Sequence, residues 1–471
     1  MNPTIKLPIT RSPLACGRTL PGLACGIFMV LGVLTRCAAQ EMTSAGNPQL
    51  KAFFQQHPDA DGNRDGVLTA DEPPYTPYLR DPAGYQWKFL PKTSAGNGAM
   101  VYRLTLTSQI WHGATWTHPV QIVVPKNLMA PDIALVFAWL DPNGAGFPIA
   151  KIAEETGITC VGTEGMYQAC LGAPSGLGIM TYGTQQYLKT GDPTWVALAA
   201  AVKSLIRTMD AVEEWSGKET GTPIRRFILA GHSQMGMASW STAVSDPRVK
   251  GIIPAGANSL NLPAQPKILS WVELAFGPIA QTDAGKKYLA MCDPYTYRRK
   301  LTAAKLVVLG TDDPGCDPTI VDQYWDGVPG SKSHLYLDNA DHSHEWNAKS
   351  FRGIIAFSRA VALKKELPKI EWTFTEAGGT LKVQATPSVP AKSARLWSAT
   401  GPFDSMTALG IPPKIRSYSK WTDLPMKAAA DGRIFSGEVA KPPAGVAAYA
   451  ELEFEQDGKS YQLTTALHIM K

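Results

Sequence analysis

Residues 226–236 read RFILAGHSQMG. The run Phe227–Ala230 has the length and composition of a short buried strand. It feeds Gly231-His232-Ser233-Gln234-Met235-Gly236, after which the pattern to about Ser245 is helical. A strand turning into a helix through a serine between glycines is the local form of a nucleophile elbow, in which a strained turn lifts the hydroxyl above the sheet. The competing reading is a serine that only caps the helix N-terminus. Met235 stands where a Gly-x-Ser-x-Gly motif has its last glycine, and Gly236 comes one residue later.

Outward from the elbow, VYRLTLTSQIW begins a strand-like block that continues through PVQIVVP and DIALVFAWLD. ITCVGTE then precedes the long helical stretch PTWVALAAAVKSLIRTMDAVEEW, and VKGIIPAG, AKLVVLG and SHLYLD follow the elbow. Near-continuous apolar strands alternating with helices predict an α/β fold with a mostly parallel sheet covered on both faces. Function in such sheets gathers at the carboxyl ends of the strands.

A serine hydroxyl becomes nucleophilic only when a base takes its proton and a carboxylate steadies the resulting imidazolium. Asp312 and Asp313 follow AKLVVLG, and His342 and His344 follow SHLYLD. Serine, acid, histidine is the chain order of an α/β-hydrolase. The Gly-x-x-Asp spacing from Gly310 favours Asp313 over Asp312, and proximity to its strand favours His342 over His344. The backbone N–H of Gln234 is the expected oxyanion donor, with a second near Leu140 or Asp141. A zinc site in DHSHE is disfavoured, because His342 and His344 diverge on a strand and miss each other at helical spacing.

An insertion of about 258–300 contains WVELAFGPIAQTDAGKKYLAMCDPYTYRRK and is placed to roof a pocket. Past Pro368 the helical patterns stop. Short alternating segments such as TLKVQAT, SARLWSA and AAYAELEFEQ predict a C-terminal immunoglobulin-like β-sandwich over 368–471.

At the other end, Lys6, Arg11 and Arg18 precede LPGLACGIFMVLGVL, and small residues follow at Ala38-Ala39. Residues 1–39 are expected to be a cleaved signal peptide, with the product periplasmic or extracellular and no membrane span. A lipidated Cys37 is disfavoured by Arg36 before it. Of the 45 basic residues, four lie in this leader with no acid, leaving 41 against 40 acidic ones. That balance gives no footprint for nucleic acid. Four cysteines remain, and in an oxidising compartment the short loops predict Cys160 paired with Cys170 and Cys292 with Cys316.

Between the leader and the sheet, within 40–84, DADGNRDGVLTADE fits a calcium loop. Asp61, Asn63 and Asp65 take alternate positions, Val67 offers its carbonyl, Thr69 acts directly or through water, and Glu72 closes the loop. Pro73-Pro74 forbids an ordinary exiting helix, so half an EF-hand holding structural Ca²⁺ is expected, with no cofactor for catalysis.

Most of residues 85–471 resembles the PhoPQ-activated pathogenicity-related family. The resemblance rests on YQWKFL, LTLTSQIWHGATWTHPVQIVVPKN, YLKTGDPTWVALAAAVKSLIRTMDAVEEW, DPRVKGIIP and DQYWDGVPGSKSHLYLDNADHS, and on PKIEWTF with ARLWSAT. It implies an α/β-hydrolase core over 85–367, export and a C-terminal β-domain, with Ser233, Asp313 and His342 as site residues. Two departures stand out. The elbow carries His232 where the family has alanine and Gln234-Met235 where it has Lys-Arg, and the acidic loop is extra. The displaced glycine is also similar to glucuronoyl esterases, whose arginine after the serine is Gln234 here. The expected activity is hydrolysis of a small-molecule or polymer ester, with amide or peptide cleavage a close variant. The alternative is a non-catalytic secreted binding or signalling protein that keeps the fold.

Overall fold

The computed structural model describes residues 51–52, 55, 72–94, 98–138, 148–164, 167–262, 281–313, 315–342, 346–401, 419–430 and 432–471. Asp61, Asn63, Asp65, Val67, Thr69, Leu140, Asp141 and His344 lie outside them, as do residues 1–39.

Among the described residues nine strands build the central sheet: β1 (Gln86–Ser94), β2 (Met100–Trp111), β3 (Ala114–Val124), β4 (Ile133–Phe137), β5 (Thr159–Thr163), β6 (Arg226–His232), β7 (Val249–Ala255), β8 (Ala304–Gly310) and β9 (Lys332–Leu337). Their order is β1-β2-β3-β5-β4-β6-β7-β8-β9. The strands from β5 onward run parallel, while β1, β2 and β3 form antiparallel pairs and β3 meets β5 antiparallel. This is a mixed α/β fold with a large sheet, as the alternation of apolar runs and helices predicts.

Helices among the described residues include α1 (Thr76–Arg80), α2 (Ile149–Thr156), α3 (Leu177–Thr190), α4 (Ala197–Glu219), α5 (Gln234–Ser245), α6 (Asp283–Cys292) and α7 (Ala348–Ala362). The continuous apolar runs have a simple cause, because successive strand residues face opposite sides and both sides are covered. On β6, Phe227 and Leu229 join one core with α4 and α5, whereas Ile228 and Ala230 join a second with α2 and α7. On β8, Val307 and Leu309 face the first core, and Leu306 and Val308 the second.

The chain beyond Pro368 is strand-rich, as expected, but it does not stand apart as a separate immunoglobulin-like sandwich. Its strands are β10 (Ile370–Ala377), β11 (Thr380–Pro387), β12 (Ser393–Thr400), β13 (Thr422–Pro425), β14 (Lys427–Ala428), β15 (Phe435–Ala440), β16 (Val446–Gln456), β17 (Lys459–Thr464) and β18 (His468–Met470). β17 pairs with β9 through Thr464 and His334, and β16, β12 and β13 continue outward, giving, among the described residues, one 14-stranded sheet in which β18 also pairs with β16. A second, four-stranded antiparallel sheet, β10-β11-β15-β14, packs on this extension. Leu381 and Val383 of β11 bury in the same core as Leu396 of β12 and Leu452 of β16.

The two expected disulfides are absent. None of the four described cysteines is joined in a disulfide. Cys160 is buried in the core on one face of the sheet, while Cys170 packs on the core of the other face, so the sheet keeps them apart. Cys316 Sγ lies 2.7 Å from the Gly256 carbonyl oxygen, and Cys292 shares a hydrogen bond with Tyr288. Burial pushes the Cys292 thiol up to about 12, which keeps it protonated.

Candidate active site

Ser233 leaves β6 with φ 55° and ψ −123°, a conformation that non-glycine residues rarely hold. The turn is fixed from both sides: Ser233 N–H donates to the Ala255 carbonyl at the end of β7, at 2.8 Å, and Met237 N–H donates to the Ser233 carbonyl at 3.1 Å. The Ser233 side chain makes no capping bond to α5. Its Oγ lies 2.9 Å from His342 Nε2. The competing reading of this serine as a helix cap therefore fails on geometry.

The displaced glycine is explained by packing. A Cβ on Gly231 would lie 2.2 Å from the Met235 carbonyl oxygen, and one on Gly236 would lie 2.3 Å from Ala257 Cβ. The close approach of helix to strand thus falls at Gly236, one residue later than in Gly-x-Ser-x-Gly, and Met235 is free to bury in the core. Either Gly231→Ala or Gly236→Ala is expected to cost about 1–3 kcal/mol of stability by overpacking. Urea unfolding measures this, and unchanged midpoints for both variants would remove the packing explanation.

β8 delivers the acid and β9 the histidine. Asp313 Oδ2 lies 2.7 Å from His342 Nδ1. The other carboxylate oxygen, Oδ1, accepts N–H bonds from Gly315 at 2.7 Å and Cys316 at 3.0 Å. Those two donors aim the carboxylate, so it meets the imidazole with its remaining oxygen. Asp312 is also buried, but its N–H donates to the Ala340 carbonyl at 2.9 Å. The acid and histidine loops are tied directly: Asn339 N–H donates to Thr311 Oγ1 at 2.8 Å, and a Cβ on Gly310 would sit 2.3 Å from the Ala340 carbonyl oxygen. Beyond the histidine, Asn347 caps α7 through the N–H groups of Lys349 and Ser350.

One site residue is not singled out by the sequence pattern. The ring of His232 lies 4.6 Å from that of His342, centroid to centroid, and its side chain bonds the His342 backbone. Burial, then the neighbouring His342, lower its pKa to about 4, so it stays neutral and puts no charge beside His342 at neutral pH. Its one sequence signal is its place next to Ser233, where the resembled family has alanine.

Gln234 begins α5, so its N–H points from a helix N-terminus, where developing negative charge is favoured. The second expected oxyanion donor, Leu140, lies outside the described residues. The described part of the 258–300 insertion does line a cavity at Ser233, through Leu262, Tyr288, Leu289 and Cys292. Of the calcium-loop residues only Glu72 is described, and its carboxylate pairs with Lys300 Nζ at 3.3 Å.

Several known proteins are similar to this chain. The Dictyostelium discoideum autocrine proliferation repressor protein A is 26% identical over 395 residues, covering 74% of this chain and 79% of that protein. Among solved structures, an acetyl xylan esterase from Paenibacillus sp. R4 is 17% identical at a TM-score of 0.45, covering 60% of this chain and 91% of its own. Acetyl xylan esterase 1 from Thermoanaerobacterium sp. JW/SL YS485 is 14% identical at a TM-score of 0.45, covering 66% and 93%. The family model described as PhoPQ-activated pathogenicity-related protein matches residues 76–157 and 177–405, more than half of the 471 residues. The chain belongs to the PhoPQ-activated pathogenicity-related protein family.

Proposed function

We propose that this protein is a serine hydrolase that cleaves a carboxylic ester through an acyl-enzyme. The observation that carries the reading is the continuous relay from Ser233 Oγ to His342 Nε2, at 2.9 Å, and from His342 Nδ1 to Asp313 Oδ2, at 2.7 Å. In the first step Ser233 Oγ bonds to the substrate carbonyl carbon as its proton passes to His342 Nε2. The carbonyl oxygen takes up negative charge and accepts the Gln234 N–H, while Asp313 steadies the imidazolium. The tetrahedral adduct then expels the alcohol, which takes the proton from Nε2. Water, deprotonated by His342, cleaves the acyl group from Ser233 and restores the hydroxyl. Amide or peptide cleavage is a close variant of the same chemistry.

The purified protein should release p-nitrophenol from an activated ester with an initial burst of about one equivalent per chain, the sign of an accumulating acyl-enzyme. Purified, folded protein that turns over neither activated esters nor amides would reject the reading. A second reading, a non-catalytic secreted binding or signalling protein, draws on the name of the Dictyostelium relative. Inert protein with an intact fold would favour it.

Export through residues 1–39 and a structural Ca²⁺ at Asp61, Asn63, Asp65, Val67, Thr69 and Glu72 belong to the same proposal. The first rests on the basic, apolar and small-residue pattern of the leader, and the second on the ligand spacing. An ion that binds only the folded chain raises its stability. The melting temperature should therefore rise by about 2 °C or more in calcium over chelator. The rise should vanish in Asp65→Ala, and a parent protein insensitive to calcium would end this part of the account.

A further inference from the structure

The cavity at Ser233 and His342 has a volume of about 240 Å³. Met237 stands one turn beyond the nucleophile on α5, and the remaining wall includes Leu177 and Met180 of α3, Leu198 of α4, and Tyr288 and Leu289 of α6. No lysine, arginine, aspartate or glutamate is among its described lining residues. A carboxylate or ammonium group placed there would lose its hydration with no opposite charge to replace it. An apolar chain would instead leave water and meet side chains on every described wall.

Size narrows the class further. One water takes about 30 Å³ of liquid, and this partly open cavity is several times that, so it admits an acyl chain of several carbons. An acetyl group would leave most of it unfilled. The order of bond breaking assigns the cavity to the acyl half of the ester, because that half stays bonded to Ser233 while the alcohol needs a path to solvent.

We propose that the substrate is an ester of an uncharged, apolar acid of about six to eight carbons, seated with its chain along Met237 and Leu289. This deepens the ester-hydrolase reading and rests on it. Amino-acyl esters fit this described wall poorly, since each brings an ammonium into it with no carboxylate to meet it.

The test is kcat/KM for p-nitrophenyl esters from acetyl to dodecanoyl, measured on the full chain, beside acetate esters whose alcohol carries the same range of chains. The acyl series should rise about fourfold per methylene up to about six to eight carbons and then level or fall. The alcohol series should stay nearly flat. Met237→Trp, which fills the cavity beside Ser233, should lower the hexanoyl-to-acetyl ratio by about tenfold. Leu289→Ala should shift the optimum to longer chains, and it serves as the second variant should the tryptophan fail to fold. A profile highest at acetyl, or a length dependence confined to the alcohol, would overturn the acyl assignment while leaving Ser233 chemistry intact. Absence of all turnover together with absence of fluorophosphonate labelling would overturn both.

Discussion

Ser233→Ala is expected to lower turnover of an activated ester by about 10⁵-fold, and His342→Ala by a similar factor, with thermal unfolding little changed. The hydroxyl is the only group in the proposed mechanism that bonds to the acyl carbon, and His342 Nε2, 2.9 Å from it, is the base that makes that bond possible. Because the two act as a unit, the double variant should be no worse than either single one. Ser233 also holds a strained backbone at φ 55°, and alanine there keeps the strain while removing the chemistry. A small gain or loss of stability is therefore compatible with the account. Ester turnover within tenfold of the parent is not.

Asp313→Asn should lower kcat by about 10⁴-fold with KM little changed. The carboxylate has two tasks. Oδ2 accepts from His342 Nδ1, and Oδ1 accepts the Gly315 and Cys316 N–H groups. An amide has one acceptor oxygen. If that oxygen keeps the two backbone donors, the NH₂ faces His342 and turns the ring to the tautomer that carries a proton on Nε2, where the base lone pair is needed. Asp312→Asn should stay within about tenfold of the parent. The Asp312 carboxylate is instead one of several groups near Tyr449, whose phenol burial and then neighbouring carboxylates hold well above its usual pKa. Equal losses from the two substitutions, measured on the same ester, would mean that the acid has been misassigned.

Much of the core was legible because its signals are local. The apolar runs around Ile133–Phe137, Phe227–Ala230 and Leu306–Leu309 mark strands covered on both faces, and turn residues after them mark the loops at their carboxyl ends. Chain order then puts Ser233, Asp313 and His342 beyond the carboxyl ends of the strands, and the spacing from Gly310 favours Asp313 over Asp312. The shifted glycine was legible as an oddity, but its cause, the contact of Gly236 with Ala257, joins residues far apart in space until β6 and β7 pair.

What was not legible depends on long-range pairing. Alternation in β16 and β17 identifies strands, yet it carries no record of which edge they join, and the junction with the central sheet is a single pair, Thr464 with His334. Cysteine spacing misled for a related reason. A short loop between Cys160 and Cys170 suggests a bridge, but Cys160 is buried on one side of the sheet and Cys170 packs, partly buried, on the other. His232 was legible as a departure from the family; its contact with the His342 ring required the two loops to be brought together.

The most direct measurement of the central claim is the mass of the protein after reaction with a fluorophosphonate, followed by peptide mapping of the adduct. The account predicts one adduct per chain, on the peptide carrying Ser233, and no adduct after Ser233→Ala. An unmodified Ser233 in folded, active protein, or an adduct on another residue that tracks the loss of activity, would contradict it.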